Sequence, residues 1–200
     1  MVPMSSIESP PEAALQMERL HRHTLLDLAR QVIGKSVEGE PRPKVDPRRY
    51  NPVLREPRGT FVTLYRDGNL RGCIGSLEPH RALVEDVAHN AFAAAFTDPR
   101  FMPLAAEDLV DISIEIAILS PLHAIEPADE LELLEMLEPR VHGLLIEDAG
   151  HRATFLPKVW QAIPDKREFL TQLRLKAGLA GDHWSETFRA SVYTTLDFSA

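Results

Sequence analysis

Arg71, Gly72, Cys73 and Gly75 stand together in the stretch Leu70-Arg71-Gly72-Cys73-Ile74-Gly75-Ser76, and Cys73 is the only cysteine of the chain. Extended backbone alternates its side chains between two faces, so Arg71, Cys73 and Gly75 are expected on the same side of a strand. A guanidinium two residues from a thiol makes the nucleophilic thiolate more abundant, and so does a nearby helix N-terminus. Gly72 and Gly75 would let a ligand approach the backbone. The same residues also fit a buried cysteine in a strand whose glycines mark a bulge or a close helix contact. No base stands at a fixed offset, because the eight histidines form neither a metal nor a triad pattern, and His89 and His142 are the candidate spatial partners. Glu115 is the second residue with chemical potential. It is the lone charge within an otherwise apolar run, so it must face solvent, be paired or sit in a pocket. An ion pair between Arg71 and Glu115 would frame Cys73, with the arginine as anion clamp and the carboxylate as acid or base.

The elements that must position these residues follow from periodicity and turn chemistry. Gly59 to Tyr65 is β-branched and aromatic, Asp67-Gly68 is a two-residue turn signal, and residues 70–76 can return as the partner strand, so a hairpin is expected. An Ala-rich segment after Pro79 carries Leu83, Val87, Ala91, Ala94 and Ala95 at helical spacing up to Asp98-Pro99. Ile112, Ile114, Ile116 and Ile118 alternate with Ser113, Glu115, Ala117 and Leu119 as in a strand. Upstream, Ser9-Pro10-Pro11-Glu12 reads as a capping box, and Leu25, Leu28, Ala29, Val32 and Ile33 share a helical face that Gly34 should end. Residues 35–58 hold five prolines and seven Lys or Arg against four carboxylates, an exposed and locally basic loop. Residues 126–138 hold six carboxylates and no Lys or Arg, and read as a short acidic helix.

The pattern then recurs. Residues 141–148 and 152–160 read as a second hairpin, Asp165 to Ala177 as a helix with Gly178 as its stop, and residues 191–198 as a last strand. Hairpin, helix and strand thus appear twice, without regular βαβ alternation. The expected fold class is α+β, with two hairpin-helix-strand units forming mainly antiparallel sheets flanked by helices in two interlocked subdomains. Residues 1–10 are expected as a flexible tail, and residues 11–200 as one domain.

Composition narrows the function. Two hundred residues can bury a sizeable core. One cysteine gives neither an internal disulfide nor a thiolate cage, which points to a reducing compartment and a cytoplasmic location. The N-terminus lacks the basic and apolar regions of a signal peptide, and no apolar run is long enough to span a membrane. A formal charge of −8 argues against a wide phosphate-neutralising surface and so against nucleic acid. Gly72-Cys73-Ile74-Gly75 has the outline of a GXXG nucleotide clamp, but its centre is apolar and it reads as a strand. Neither a Walker loop nor a dinucleotide fingerprint is present, and no cofactor or metal is implied.

Five ordered blocks carry a more specific resemblance: residues 59–79, 90–104, 112–121, 142–160 and the stretch from Phe169 to Trp184. In order and spacing they resemble the AMMECR-one domain family over roughly residues 20–198, with Leu70 to Gly75 as the hallmark. The resemblance implies a compact α+β domain of two subdomains with the hallmark beside a functional cleft. It implies motif positions at Arg71, Gly72, Cys73, Ile74, Gly75, Asp98, Arg100, Phe101, Glu115, Gly143, Leu156, Pro157, Trp160, Lys176, Ala177 and Gly178. Asp98 and Arg100 are expected to cap or pair at a helix end, Gly178 to adopt a left-handed C-cap, and Trp160 to fill a core. It also implies Memo-like and radical-SAM proteins as partners in a modification pathway, while assigning no activity. The site expected from all this has Cys73 and Glu115 as catalytic candidates and Arg71, Gly72, Gly75, Asp98, Arg100 and His142 as binders of a small anionic ligand. The rival is a non-catalytic interaction module using the basic loop 35–58 and the acidic segment 126–138.

Overall fold

The structure is a computed structural model that describes residue 17 and residues 19–199, so the expected tail and the capping box at Ser9 lie outside the described residues. The chain divides into two compact units: the first runs to Leu119 and resumes at Leu196, and the second is Ser120–Thr195. Each has its own four-stranded sheet and hydrophobic core.

In the first unit, β1 (Thr60–Arg66) and β2 (Asn69–Ser76) form the expected hairpin. Asp67 and Gly68 both have positive φ, 51° and 74°, which is the geometry a two-residue hairpin turn demands. β3 (Ile112–Leu119) pairs antiparallel with β1 on its other side, and β8 (Thr195–Ser199) completes the order β2-β1-β3-β8. One face of this sheet presents Val62, Leu64, Ile114, Ile116 and Ile118 to two helices, α1 (Arg19–Val37) and α2 (Leu83–Phe96). Leu25, Ala29, Val32, Val87 and Ala91 are fully buried between them. α1 does not stop at Gly34 but continues to Val37, because Gly costs a helix only about 1 kcal/mol and the chain first turns left-handed at Gly39, φ 82°. The loop 35–58 contains two short 3-10 turns, each begun by a side-chain cap: Asp46 accepts the Arg48 N–H and Asn51 accepts the Val53 N–H.

A buried polar network ties α2 to β1. The carboxylate of Asp86 accepts from Thr60 Oγ1 at 2.7 Å, Asn90 Nδ2 at 3.0 Å and Arg81 Nη1 at 2.6 Å. Asp86 is fully buried, and these three donors are what make its burial tolerable.

In the second unit, β5 (Gly143–Asp148) and β6 (His151–Phe155) form a hairpin, β7 (Arg189–Tyr193) pairs with β5, and the three-residue β4 (His123–Ile125) extends the order to β4-β7-β5-β6. α3 (Glu130–Met136) is shorter than the acidic stretch suggested, and α4 (Lys166–Lys176) begins where Asp165 accepts the Glu168 N–H. Gly178 ends α4 with φ 81°, as its position implied. Trp160 is buried and stacks on Phe169 with centroids 3.6 Å apart. Strand β6 stops at Phe155, because Pro157 opens a 3-10 turn (Pro157–Gln161) where the sequence suggested continued strand. The buried Asp148 accepts from His183 Nε2 at 2.5 Å, Ser185 Oγ at 2.7 Å and Thr187 Oγ1 at 2.5 Å, which pins the connection between α4 and β7.

The last strand expected over 191–198 is two strands in two sheets, β7 in the second and β8 in the first. Hairpin, helix and strand do recur, and with the same strand order: β2-β1-β3 in one sheet and β6-β5-β7 in the other, antiparallel throughout these pairs.

Candidate functional site

β1 is the middle strand on which the site is assembled. The register shifts between Leu64 and Tyr65, which pair with Gly72 and Leu70, so Arg71 is the extra residue of a β-bulge. The bulge sets Cys73 opposite Thr63, and Thr63 in turn is opposite Glu115 on β3. These three residues form a row across β2, β1 and β3 on the sheet face away from the helices. Cys73 is half-buried, and its Sγ accepts a hydrogen bond from Thr63 Oγ1 at 3.4 Å.

β2 is an edge strand, and at Cys73 its outward backbone groups are met by side chains from the segment after α2. The Cys73 N–H donates to Asp98 Oδ2 at 2.9 Å, and the Cys73 carbonyl accepts from Arg100 Nη2 at 3.2 Å. Asp98 and Arg100 are themselves joined, Nη2 to Oδ2 at 2.7 Å and Nε to Oδ1 at 3.0 Å. The pairing expected of these two residues is therefore present, and it closes onto the strand. The Arg100 side chain, then the Cys73 and Arg100 N–H groups, hold the buried Asp98 carboxyl well below the usual carboxylate range.

The carboxylate that Arg71 meets is Asp108 and not Glu115. The bulge interrupts the alternation assumed for residues 71 and 73, and the Arg71 guanidinium reaches Asp108 Oδ2 and the Pro103 carbonyl, each at 3.5 Å. Asp108 also binds Arg66 and the Ala105 N–H, so one carboxylate serves two guanidinium groups. Arg71 Nη1 is buried and has no hydrogen-bond partner among the described residues. The guanidinium groups of Arg71 and Arg100 both lie over the ring of Phe101, 5.9 and 5.4 Å from its centroid. Two cations, one aromatic ring and the Cys73 backbone thus form a single group.

The glycines have other work. A Cβ on Gly72 would run into the Ala94 carbonyl of α2, and one on Gly75 into the ring of Phe61, so both positions serve close packing. His142 belongs to the second unit, where its Nδ1 accepts the Glu138 N–H at 3.1 Å and its carbonyl accepts from Trp160 Nε1 at 2.7 Å. Burial holds its imidazole below the usual pKa. His89 sits on α2 against Arg42. Two members of the group, Thr63 and Asp108, were not anticipated. Counting back from a two-residue turn places Gly72 opposite Thr63, and only the bulge brings Cys73 there; Asp108 is 37 residues from Arg71 with no local signal.

Among the described residues no cluster of three His, Cys, Asp or Glu is arranged to hold a metal, and no helix is long and apolar enough to cross a membrane. An open groove of about 460 Å³ lies in the second unit beside Leu131, Leu134, Pro139 and Pro164, and includes no member of the Cys73 group.

The fold and this edge-strand group define an α+β protein built on two antiparallel sheets. The AMMECR1 family model matches residues 26–198, and the chain belongs to that family. A protein of Methanothermobacter thermautotrophicus is 36% identical over 171 residues, covering 83% of this chain and 86% of that one. Protein MJ0810 of Methanocaldococcus jannaschii is 39% identical over 163 residues, covering 78% of each chain. The crystal structure of the uncharacterized protein PH0010 from Pyrococcus horikoshii superposes with a TM-score of 0.81 at 32% identity, covering 88% of this chain and 89% of that one.

Proposed function

We propose that the chain binds a small anionic ligand beside Arg71, Phe101, Arg100 and Cys73. The observation that carries this reading is the buried Nη1 of Arg71, which lacks an acceptor among the described residues while the carboxylate this side chain meets, Asp108, is shared with Arg66. A buried donor left unmade costs about 1–3 kcal/mol, and an anion would relieve it. Phe101 supplies a flat face for an organic ligand between two cations. Binding is favoured over nucleophilic catalysis because the side chain that meets the Cys73 sulfur is the Thr63 hydroxyl, which is no base, whereas a thiol nucleophile is activated by a base that takes its proton. The family resemblance adds Memo-like and radical-SAM proteins as partners in a shared modification pathway, within which this chain would present or receive the ligand.

The test is thermal unfolding of the purified protein across a panel of small carboxylates, phosphates and nucleotides. A ligand that raises Tm in the wild type should lose that effect in Arg71→Ala and keep it in Cys73→Ser. Absence of any shift in the wild type, or an equal shift in Arg71→Ala, overturns the reading. Loss of binding in Cys73→Ser alone would move the assignment toward a thiol-dependent enzyme.

A second reading, a surface that docks a protein, has its own support. Met102 and Val110 are 80% and 87% exposed in the segment that carries Arg100 and Asp108. Replacing both with serine would abolish capture of such a partner without touching ligand-induced stabilisation.

A further inference from the structure

Arg174 of α4 is a cation that the Cys73 group does not use, and it is 1% exposed. Its Nη1 is spent twice, on Glu130 Oε2 at 2.8 Å and on the Gly181 carbonyl at 3.1 Å. Its Nε and Nη2 are buried and have no hydrogen-bond partner among the described residues. A guanidinium only donates, so these nitrogens need an acceptor brought to them. Leaving a buried donor unmade is costly, and more so on a charged group.

The open edge has a definite chemistry. Nε–H and one Nη2–H of a guanidinium point the same way, a fork that paired oxygens of an anion can meet together. Glu130 does not supply them, since its second oxygen faces Arg167 Nη1 at 3.5 Å. Asp182 and Glu186, in the connection between α4 and β7, are exposed and reach neither nitrogen. The same connection sets two half-buried rings beside the cation: the centroids of Trp184 and Phe188 lie 5.9 and 5.7 Å from the guanidinium carbon and 4.6 Å from each other. One fork takes two oxygens, so the third oxygen and second charge of a phosphate monoester would be left without a partner. The rings offer faces for an apolar body.

We propose that Arg174, Trp184 and Phe188 bind the carboxylate of a monocarboxylic acid with an apolar body, either a free organic acid or the C-terminus of a peptide. The connection lies against the guanidinium, so the acid enters when residues 179–188 lift from α4. All three residues belong to the second unit, and this site and the Cys73 group can fail separately.

The test follows the Arg174 Nε–H signal of the ¹⁵N-labelled whole chain by NMR at constant ionic strength, because screening alone changes charge interactions. Phenylacetate, its neutral amide, and an N-acetylated peptide ending in Phe with a free carboxylate are titrated separately. Both acids should give a saturable shift and the amide none. Arg174→Gln would strand Glu130 and risks unfolding, so the half-buried Trp184 is the position to replace: Trp184→Leu should weaken binding about tenfold by loss of an aromatic contact, and Arg71→Ala should leave it unchanged. Tighter binding of phenylacetate marks a free acid as the ligand, and tighter binding of the peptide marks a protein C-terminus. A signal that neither acid moves, that the amide moves equally, or that keeps its affinity in Trp184→Leu overturns the proposal. So does a long-lived water at Nε–H that neither acid displaces.

Discussion

Asp98 and Asp148 are single carboxylates that each gather several donors, and both are held well below the usual carboxylate range, Asp98 first by Arg100 and Asp148 first by His183. A carboxyl that is more acidic in the folded protein than in the unfolded chain adds stability that is complete above the unfolded value of about 3.9, and that stability drains away as pH falls through the folded value. Melting curves from pH 7 downward should therefore show Tm falling steeply below about pH 4, and Asp148→Asn should lower Tm at neutral pH while flattening the acid limb. An unchanged acid limb in that variant would refute the assignment. The glycines give a second residue-level prediction. Gly72→Ala meets helix backbone that cannot yield and should cost about 1–3 kcal/mol, whereas Gly75→Ala meets a Phe61 side chain that can rotate and should cost less, as measured by chemical denaturation. At this scale Cys73, Asp98 and Arg100 were legible, because a hallmark stretch and a helix-ending Asp-Pro mark them. The Arg71 partner was not, since a bulge redirects the side chain and Asp108 is brought to it only by tertiary structure.

Among the elements, β2 shows how an edge strand is protected. Open edges recruit other strands, and proteins blunt them with charges and covering segments. Here the Asp98 carboxylate and the Arg100 guanidinium take the Cys73 N–H and carbonyl and then bind each other, so at this residue the edge meets a side-chain pair in place of a strand. The variant Asp98→Ala/Arg100→Ala should expose both groups, with faster hydrogen exchange at the Cys73 amide and concentration-dependent self-association in sedimentation; a monomer with unchanged exchange would count against the capping role. Both hairpins, α2, α4 and β3 could be read from the sequence because turn residues and periodicity agree there. The division of residues 189–199 between two sheets could not, since the run through Tyr193, Thr194 and Thr195 contains neither glycine nor proline and every residue suits a strand. β4, three residues long, is too short to show a period.

In the molecule as a whole, residues 120–195 are inserted between the third and fourth strands of the first sheet. Leu196 and Phe198 of β8 pack on the first core, so truncation before Leu196 should lower the stability of that unit and leave β3 as a raw edge. Limited proteolysis should then cut residues 19–119 faster while the second core persists; equal protection of both would deny β8 its closing role. The recurrence of strand order in the two sheets was visible in the sequence as hairpin, helix and strand, although the residues themselves barely repeat. The insertion also hands the experimenter an optical label. Both tryptophans of the chain, Trp160 and Trp184, lie in residues 120–195, so indole emission reports on that unit alone, while far-ultraviolet dichroism senses both. Any temperature or denaturant at which the two signals part company is a direct reading of one unit letting go before the other.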